Sequence, residues 1–457
     1  MIDAVHNRPL PQELLAAMGA VCPEVARDIQ AHWSRPMTDY ARHLFRPVTQ
    51  PRSAIGKQAR SILRQTLAAR LDALPADVQA DGVLDAFDRH PVIQAGVHSQ
   101  LLFDRISFSA FLLSWLGAVE QRLSVFFVFT GATVTMETIG KEGPGWLDLG
   151  DRQINLFGMG RHKLCRQSVA GAGPVSLNHG ALTDCAMPGV EVIAAQAGRR
   201  WGGAADAFAD INGRLVSSWD RESSARPAFF DDRHASLAVA EHLENEASLV
   251  TGLLTDPARR YALEGRLNAA SAGPLGRFLP LATAHFWGVR DKRVRKLIVT
   301  NDVLTEVDRP HGVRVPLERR ALRDALLNGV LLPNLFVLFL VMSLLPRVRV
   351  LGGFRQIGYV PVFQSVLRDV LNPENADERL LLEDLSVHEN AWGMRVIEEP
   401  QSVFEQIGAH TPGALLAELR RNYAGRSLAD VTDGLRLLVE SSRWRKLARA
   451  QTVQPTA

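Results

Sequence analysis

Cysteine is nearly absent from this chain. Only Cys22, Cys165 and Cys185 occur in 457 residues, and no Cys-x-x-Cys pair is present. Three widely spaced cysteines argue against a disulfide scaffold and a structural zinc site, and they fit a reducing cytoplasm. A dominant charge is lacking too: 52 Lys and Arg stand against 49 Asp and Glu. So small an excess does not indicate a nucleic-acid protein, although it leaves room for a local basic patch. The N-terminus, MIDAVHNRPLPQELL, has no basic segment followed by an apolar one, so no secretory signal is expected. Nor is there a long apolar run. The nearest, Val330–Leu345, is sixteen residues long and interrupted by Pro333 and Asn334. A spanning helix needs about twenty apolar residues, so this stretch is expected in a buried core and no membrane contact is expected.

Familiar catalytic signatures are missing as well. The chain contains no GxxxxGK phosphate loop, no GxGxxG, no GxSxG elbow, no HExxH and no set of kinase motifs. What is present is a globular composition, 46% apolar and 22% charged, in a chain long enough for two or three domains.

In chain order, residues 1–90 read as helical, with apolar stripes in Pro11–Trp33, Gly56–Leu74 and Asp77–Phe87 and with Arg60, Arg64 and Arg70 on the solvated side. Residues 91–165 change character. Pro91–Ala95 reads as a short apolar strand, Gly96 as a tight turn, and His98 and Ser99 as the start of an apolar helix. Leu123–Thr130, LSVFFVFT, suits a strand covered on both faces, with ATVTME continuing it. Residues 166–290 are expected to form a helical and loop insertion, with one helix near Ala204–Trp219 and a long helical run after 231. From 291 to 375 the α/β pattern returns: a strand at Lys296–Thr300, a polar turn and helix at Asn301–Asp308, a helix at Pro316–Asn328 capped by Gly329, then VRVLGG and a helix from Gln356. Residues 376–457 read as helices ending in Arg443, Arg445, Lys446 and Arg449. Strands alternating with helices in two blocks predict a Rossmann-like, doubly wound parallel sheet with helical N-terminal, inserted and C-terminal segments.

In such a sheet ligands sit beyond the carboxyl ends of the strands, where the strand order reverses. Two glycine turns occupy that position in the sequence. The first holds Gly96, His98, Ser99 and Gln100; there His98 would meet a phosphate or carboxylate, and Ser99 would cap the helix. The second holds Gly352, Gly353, Arg355 and Gln356, an anion cradle with an arginine clamp. A compact cluster, Arg161, His162, Lys163 and Arg166, suits an anionic donor or an RNA backbone, or simply a solvated face. Its charges should also lower the pKa of Cys165, although an inert cysteine is the plainer expectation. His242 and Glu246 are spaced for a metal on one helix face, but no further ligands accompany them and no metal site is expected.

Two segments, PVIQAGVHSQLLFDRISF and Leu322–Val370, resemble the family of the cysteine-adding enzyme of bacillithiol biosynthesis. The second carries Leu332-Pro333, Gly352-Gly353 and Tyr359 where that family has a Leu-Pro, a Gly-Gly and a Tyr ahead of a helix. The resemblance covers about a fifth of the chain. It implies a nucleotidyltransferase-related core, an amide- or ester-forming step, and a nucleotide or substrate site at His98, Gly352, Gly353 and Tyr359. The family's acidic, histidine-containing motif after its central strand has no counterpart here: VFFVFTGATVTM meets no acid or histidine before Glu137. The expectation is therefore a ligase or an acyl or aminoacyl transferase acting on an amine or hydroxyl acceptor. His98 and Arg355 are its catalytic candidates, and ATP or an adenylate its donor. Aminoacyl-tRNA is an alternative donor, and a non-catalytic partner-binding scaffold an alternative role.

Overall fold

A computed structural model describes residues 9–452, apart from 73, 75–78, 139–141, 150–151, 184–188, 222–224, 280, 310, 354, 388–389, 393–402 and 411–412. Cys185 and Asp77 lie outside the described residues. The fold is mixed α/β around a parallel sheet. Its strands are β1 (Val92–His98), β2 (Val125–Gly131), β3 (Arg226–Asp231), β4 (Arg349–Gly352) and an edge strand β5 (Asn390–Trp392), in the order β5-β4-β1-β2-β3. All four neighbouring pairs are parallel. The chain runs outward from β1 through β2 to β3, then returns to the other side of β1 for β4 and β5. The order therefore reverses between β1 and β4.

β2 explains why the sheet sits at the centre. Val125 to Thr130 are all buried, so both faces of the strand are covered. Helix α1 (Arg105–Glu120) links β1 to β2 and is buried almost all round, from Ser107 to Ala118. It packs on the N-terminal helices so closely that a Cβ at Gly117 would lie 2.2 Å from Phe45. Helix α2 (Asp232–Glu244) leaves β3 directly, and helix α3 (Gln356–Val370) follows β4. Buried apolar side chains from Leu14 to Leu447 form one continuous cluster.

Several elements differ from expectation. β1 runs through Gly96 to His98; a register irregularity between Gln94 and Val97 takes the place of the expected turn. The helix after it starts at Arg105, capped by Asp104, whose carboxylate accepts from the Ser107 amide at 2.8 Å. Ser99 caps nothing: its hydroxyl donates to Thr130 Oγ1 at 2.9 Å, and its amide donates to the Gly131 carbonyl. The third parallel strand comes from Arg226–Asp231, inside the expected insertion. Between 286 and 333 the chain instead builds a second, antiparallel sheet, ordered Arg314–Pro316, Val303–Glu306, Arg293–Thr300, Phe286–Arg290, Leu331–Pro333. Asn301 and Asp302, at φ 50° and 58°, make the tight hairpin turn where a polar turn and helix was read. ATVTME does not extend β2 and makes only an isolated bridge at Thr135.

The apolar run splits into the strand Leu331–Pro333, a short helix Leu335–Phe339 and a π-turn, and its residues are largely buried. Among the described residues no helix is long and apolar enough to cross a membrane. Arg60, read as solvated, is 5% exposed and donates to the Arg347 carbonyl at 3.1 Å. Arg64 pairs with Asp85 and Asp88.

Candidate functional site

At the carboxyl edge of the parallel sheet, over the point where the strand order reverses, lies a cavity of about 570 Å³. This is within the usual range of small-molecule sites, about 300–1,000 Å³. Its floor is made by the ends of β1 and β2, by Asp232 after β3, and by the β4–α3 turn. Thr283, Trp287, Pro333 and Asn334 of the antiparallel sheet and its flanks form the opposite wall.

The two glycine segments, Gly96 within β1 and Gly352-Gly353 at the end of β4, meet here. A Cβ on Gly96 would lie 3.4 Å from both Gly352 Cα and Gly353 N, so the two backbones are in direct contact. Gly96, His98, Gln100, Gly353, Arg355, Gln356 and Tyr359 all line the cavity. Gly352 and Ser99 lie just behind it. Gly352 is needed for packing: a Cβ there would fall 1.7 Å from Gln356 Oε1, because the buried Gln356 amide folds back to donate to the Val350 carbonyl at 2.9 Å. Gln100 donates to Ser107 Oγ at 2.7 Å and ties the β1 exit to the start of α1.

Arg161 and Lys163 are not brought to this cavity. Arg161 donates to the buried Glu137 at 2.6 Å, and Lys163 is exposed on the same short helix, Arg161–Leu164. Cys165 departs from its expectation: burial and the bond to Glu137 raise its pKa, and only Arg161 and the backbone oppose them. His242 is buried, with Nδ1 3.0 Å from Ser248 Oγ, and its helix ends at Glu244, so Glu246 is not on the face imagined for a metal.

Three ionisable side chains of the cavity, His98, Arg355 and Tyr359, are shifted by it. His98 is exposed, but into the cavity. Desolvation lowers its pKa, Asp104 opposes this and Arg355 adds to it, so the imidazole is neutral near pH 7. Arg355 precedes the first turn of α3, where backbone N–H groups favour negative charge. Burial and Arg443 weaken its hold on its proton. Burial also raises the Tyr359 phenol above its ordinary value, opposed by Arg355.

Asp232 was not singled out in the sequence. It is the first residue of α2, 4% exposed, and lines the cavity. Its Oδ2 accepts from the Ala132 amide at the end of β2. Burial drives its pKa up to about 7, the Ala132 bond opposes this, and the Asp231 charge reinforces it. Asp231 keeps its own pKa low, in spite of burial, through bonds to His234 and Arg233. Burial thus holds Asp232 up, while the helix cap and Arg233 hold Asp231 down. The Asp232 carboxylate reaches the end of β2, where Gly131 pairs in register with His98. The sequence signal was the pair Asp231-Asp232 after the apolar run Ala228–Phe230, which a helix N-cap mimics. No known family model and no curated protein matches this chain.

Proposed function

We propose that the chain is an enzyme with a Rossmann-like, doubly wound core that transfers an acyl or aminoacyl group to an amine or hydroxyl acceptor. The observation that carries this reading is the cavity at the strand-order reversal, lined by both glycine segments and by Asp232. In doubly wound sheets that is where ligands bind. The donor is an acyl adenylate, formed when a carboxylate attacks the α-phosphorus of ATP and pyrophosphate leaves, with its remaining phosphate held by Arg355 and the first turn of α3. The acceptor attacks the acyl carbon, the bond to the phosphate oxygen breaks, and AMP leaves with the bonding pair. The acceptor's proton passes to the Asp232 carboxylate, whose pKa near 7 suits a group that must both take and release it. Neutral His98 donates its N–H to the oxygen on which charge develops. A partner-binding scaffold is the competing reading, since β2 carries no acid; the Asp232 carboxylate, bonded to the Ala132 amide just past β2, supports the enzyme reading instead.

The test joins binding with chemistry. We expect ATP or an amino acid to raise the melting temperature, since a ligand bound only by the folded state stabilises it by about 2.7 kcal/mol at a hundred times its Kd. His98→Ala should fold normally and lose turnover by about 10²–10⁴-fold, the usual contribution of a positioned proton-transfer or oxyanion group. No stabilisation by any nucleotide or amino acid, or full turnover in His98→Ala, would sink this reading.

A further inference from the structure

The basic cluster at 161–166 plays no part in the cavity, yet it does not stand alone. The turn of the hairpin between Phe286–Arg290 and Arg293–Thr300 docks beside it. The Lys292 carbonyl accepts from the Ser168 amide at 3.0 Å, and Lys292 Nζ donates to the Gly173 carbonyl at 2.6 Å. Gly171 fits so tightly there that a Cβ would lie 2.5 Å from the Lys292 backbone. Two segments over a hundred residues apart are thereby locked together, and their charges converge. Arg293 is depressed first by burial and then by the fields of Arg295, Arg166 and Arg309, with Asp291 the one opposing charge.

The buried acids nearby are already engaged. Glu137 is held by Arg161 and Trp146, and Glu306 by Arg290 at 3.1 Å and Arg295 at 3.5 Å. Exposed Asp291 lies 3.8 Å from Arg290. Lys163, Arg166, Arg293 and Arg309 make no ion pair among the described residues. From this we infer a second binding surface: the 161–166 helix and the Asp291–Lys292 hairpin together bind an RNA phosphodiester backbone.

Cations drawn from three segments of an open surface match a repeating anion better than a single phosphate. The one large exposed apolar side chain on this hairpin, Ile298, alternates to the opposite strand face from Arg293 and Arg295, so the basic face carries none, whereas the core of a protein interface is enriched in aromatics and Met. RNA therefore fits better than an acidic protein. The position is suggestive too. Trp287 lines the cavity, and the strand from it to Arg290 at the patch spans only about 10 Å at the usual rise per residue. An RNA lying on the patch can bring one end to the cavity, as an aminoacyl-RNA donor requires. That last link rests on the proposed acyl transfer; the binding itself does not.

The experiment is fluorescence anisotropy of the full chain with labelled, unfractionated transfer RNA across a salt series. Polyglutamate serves as the acidic-protein probe. Arg166→Glu with Arg293→Glu should weaken RNA binding by at least about ten-fold, and the neutral pair Arg166→Gln with Arg293→Gln should lower the slope of log K against log salt by about two. Arg27→Glu with Arg214→Glu, an equal charge change at exposed positions elsewhere, should leave binding within about two-fold. The neutral pair also serves as the folding-safe version should the reversed one unfold. The proposal is overturned if RNA does not bind, if both charge-reversed variants bind alike, or if polyglutamate binds as well as RNA. ATP stabilisation measured on the same variants reads the cavity separately, so loss of one with retention of the other identifies which proposal has failed.

Discussion

Asp232 is the proposed proton acceptor, and its titration can be measured without knowing the substrate. An ordinary aspartate titrates near 3.8, and burial moves this one up to about 7. The folded state therefore binds the proton more tightly than the unfolded chain. Its contribution is intact below about pH 4 and is lost as pH rises through 7. We expect Asp232→Asn, whose amide oxygen can still accept from Ala132, to match the wild type near pH 4 and to exceed it at pH 8. The gap should be on the order of 2–4 kcal/mol, read from denaturant unfolding at each pH. A difference that does not vary with pH would show that Asp232 titrates normally and is not the proton acceptor. His98 was singled out as a polar residue just after an apolar strand and a glycine, and in the fold it ends β1 and lines the cavity. Asp232 was not, because its pKa is created by burial between β2 and β3, and burial is not written in the two letters Asp-Asp.

Among the elements, the β4–α3 turn separates a packing glycine from a lining one. The sequence reading took Gly352 and Gly353 as one cradle. In the fold, Gly353 lines the cavity, whereas Gly352 makes room for the Gln356 amide. Gly352→Ala must expel a buried side chain that donates to Val350, and we expect a loss of roughly 2–4 kcal/mol in denaturant unfolding. Gly96→Ala meets its nearest neighbours only at 3.4 Å and should cost less than about 1 kcal/mol. Equal costs at the two positions would refute this division of roles. The helix read near Ala204–Trp219 forms there, and the one expected from Gln356 starts at that residue and runs to Val370. The antiparallel sheet was missed because short strands with mixed patterns read much like polar turns and helix starts, and only pairing with distant partners distinguishes them.

For the molecule as a whole, stability depends on contacts that cross the entire chain. Asp384 has a fully buried carboxylate, which accepts from the Arg52 amide at 2.9 Å and pairs with Arg52 Nε and Arg347 Nη1, each at 3.3 Å. It ties the N-terminal helices to the segment after α3. Asp384→Ala leaves Arg347, only 9% exposed, without this carboxylate. We expect a loss of about 3–5 kcal/mol, the usual cost of removing one partner from a buried pair. A melting temperature within a degree of the wild type would show that the two ends do not depend on each other.

The sequence by itself determined what is local: apolar runs that become β1, β2 and β4, helical stripes, a glycine pair closing β4, and a basic cluster whose charges need no fold to be counted. Tertiary structure alone decided which of these meet. It placed Gly96 against Gly352 across 256 positions, drew β3 out of a stretch that read as an insertion, brought Asp232 to the end of a strand that carries no acid, and set the hairpin at Lys292 beside Arg166. The physical reason is common to all four. A strand's neighbours and a carboxylate's burial are set by long-range packing around the shared core, while a sequence window records only the preferences of the residues within it.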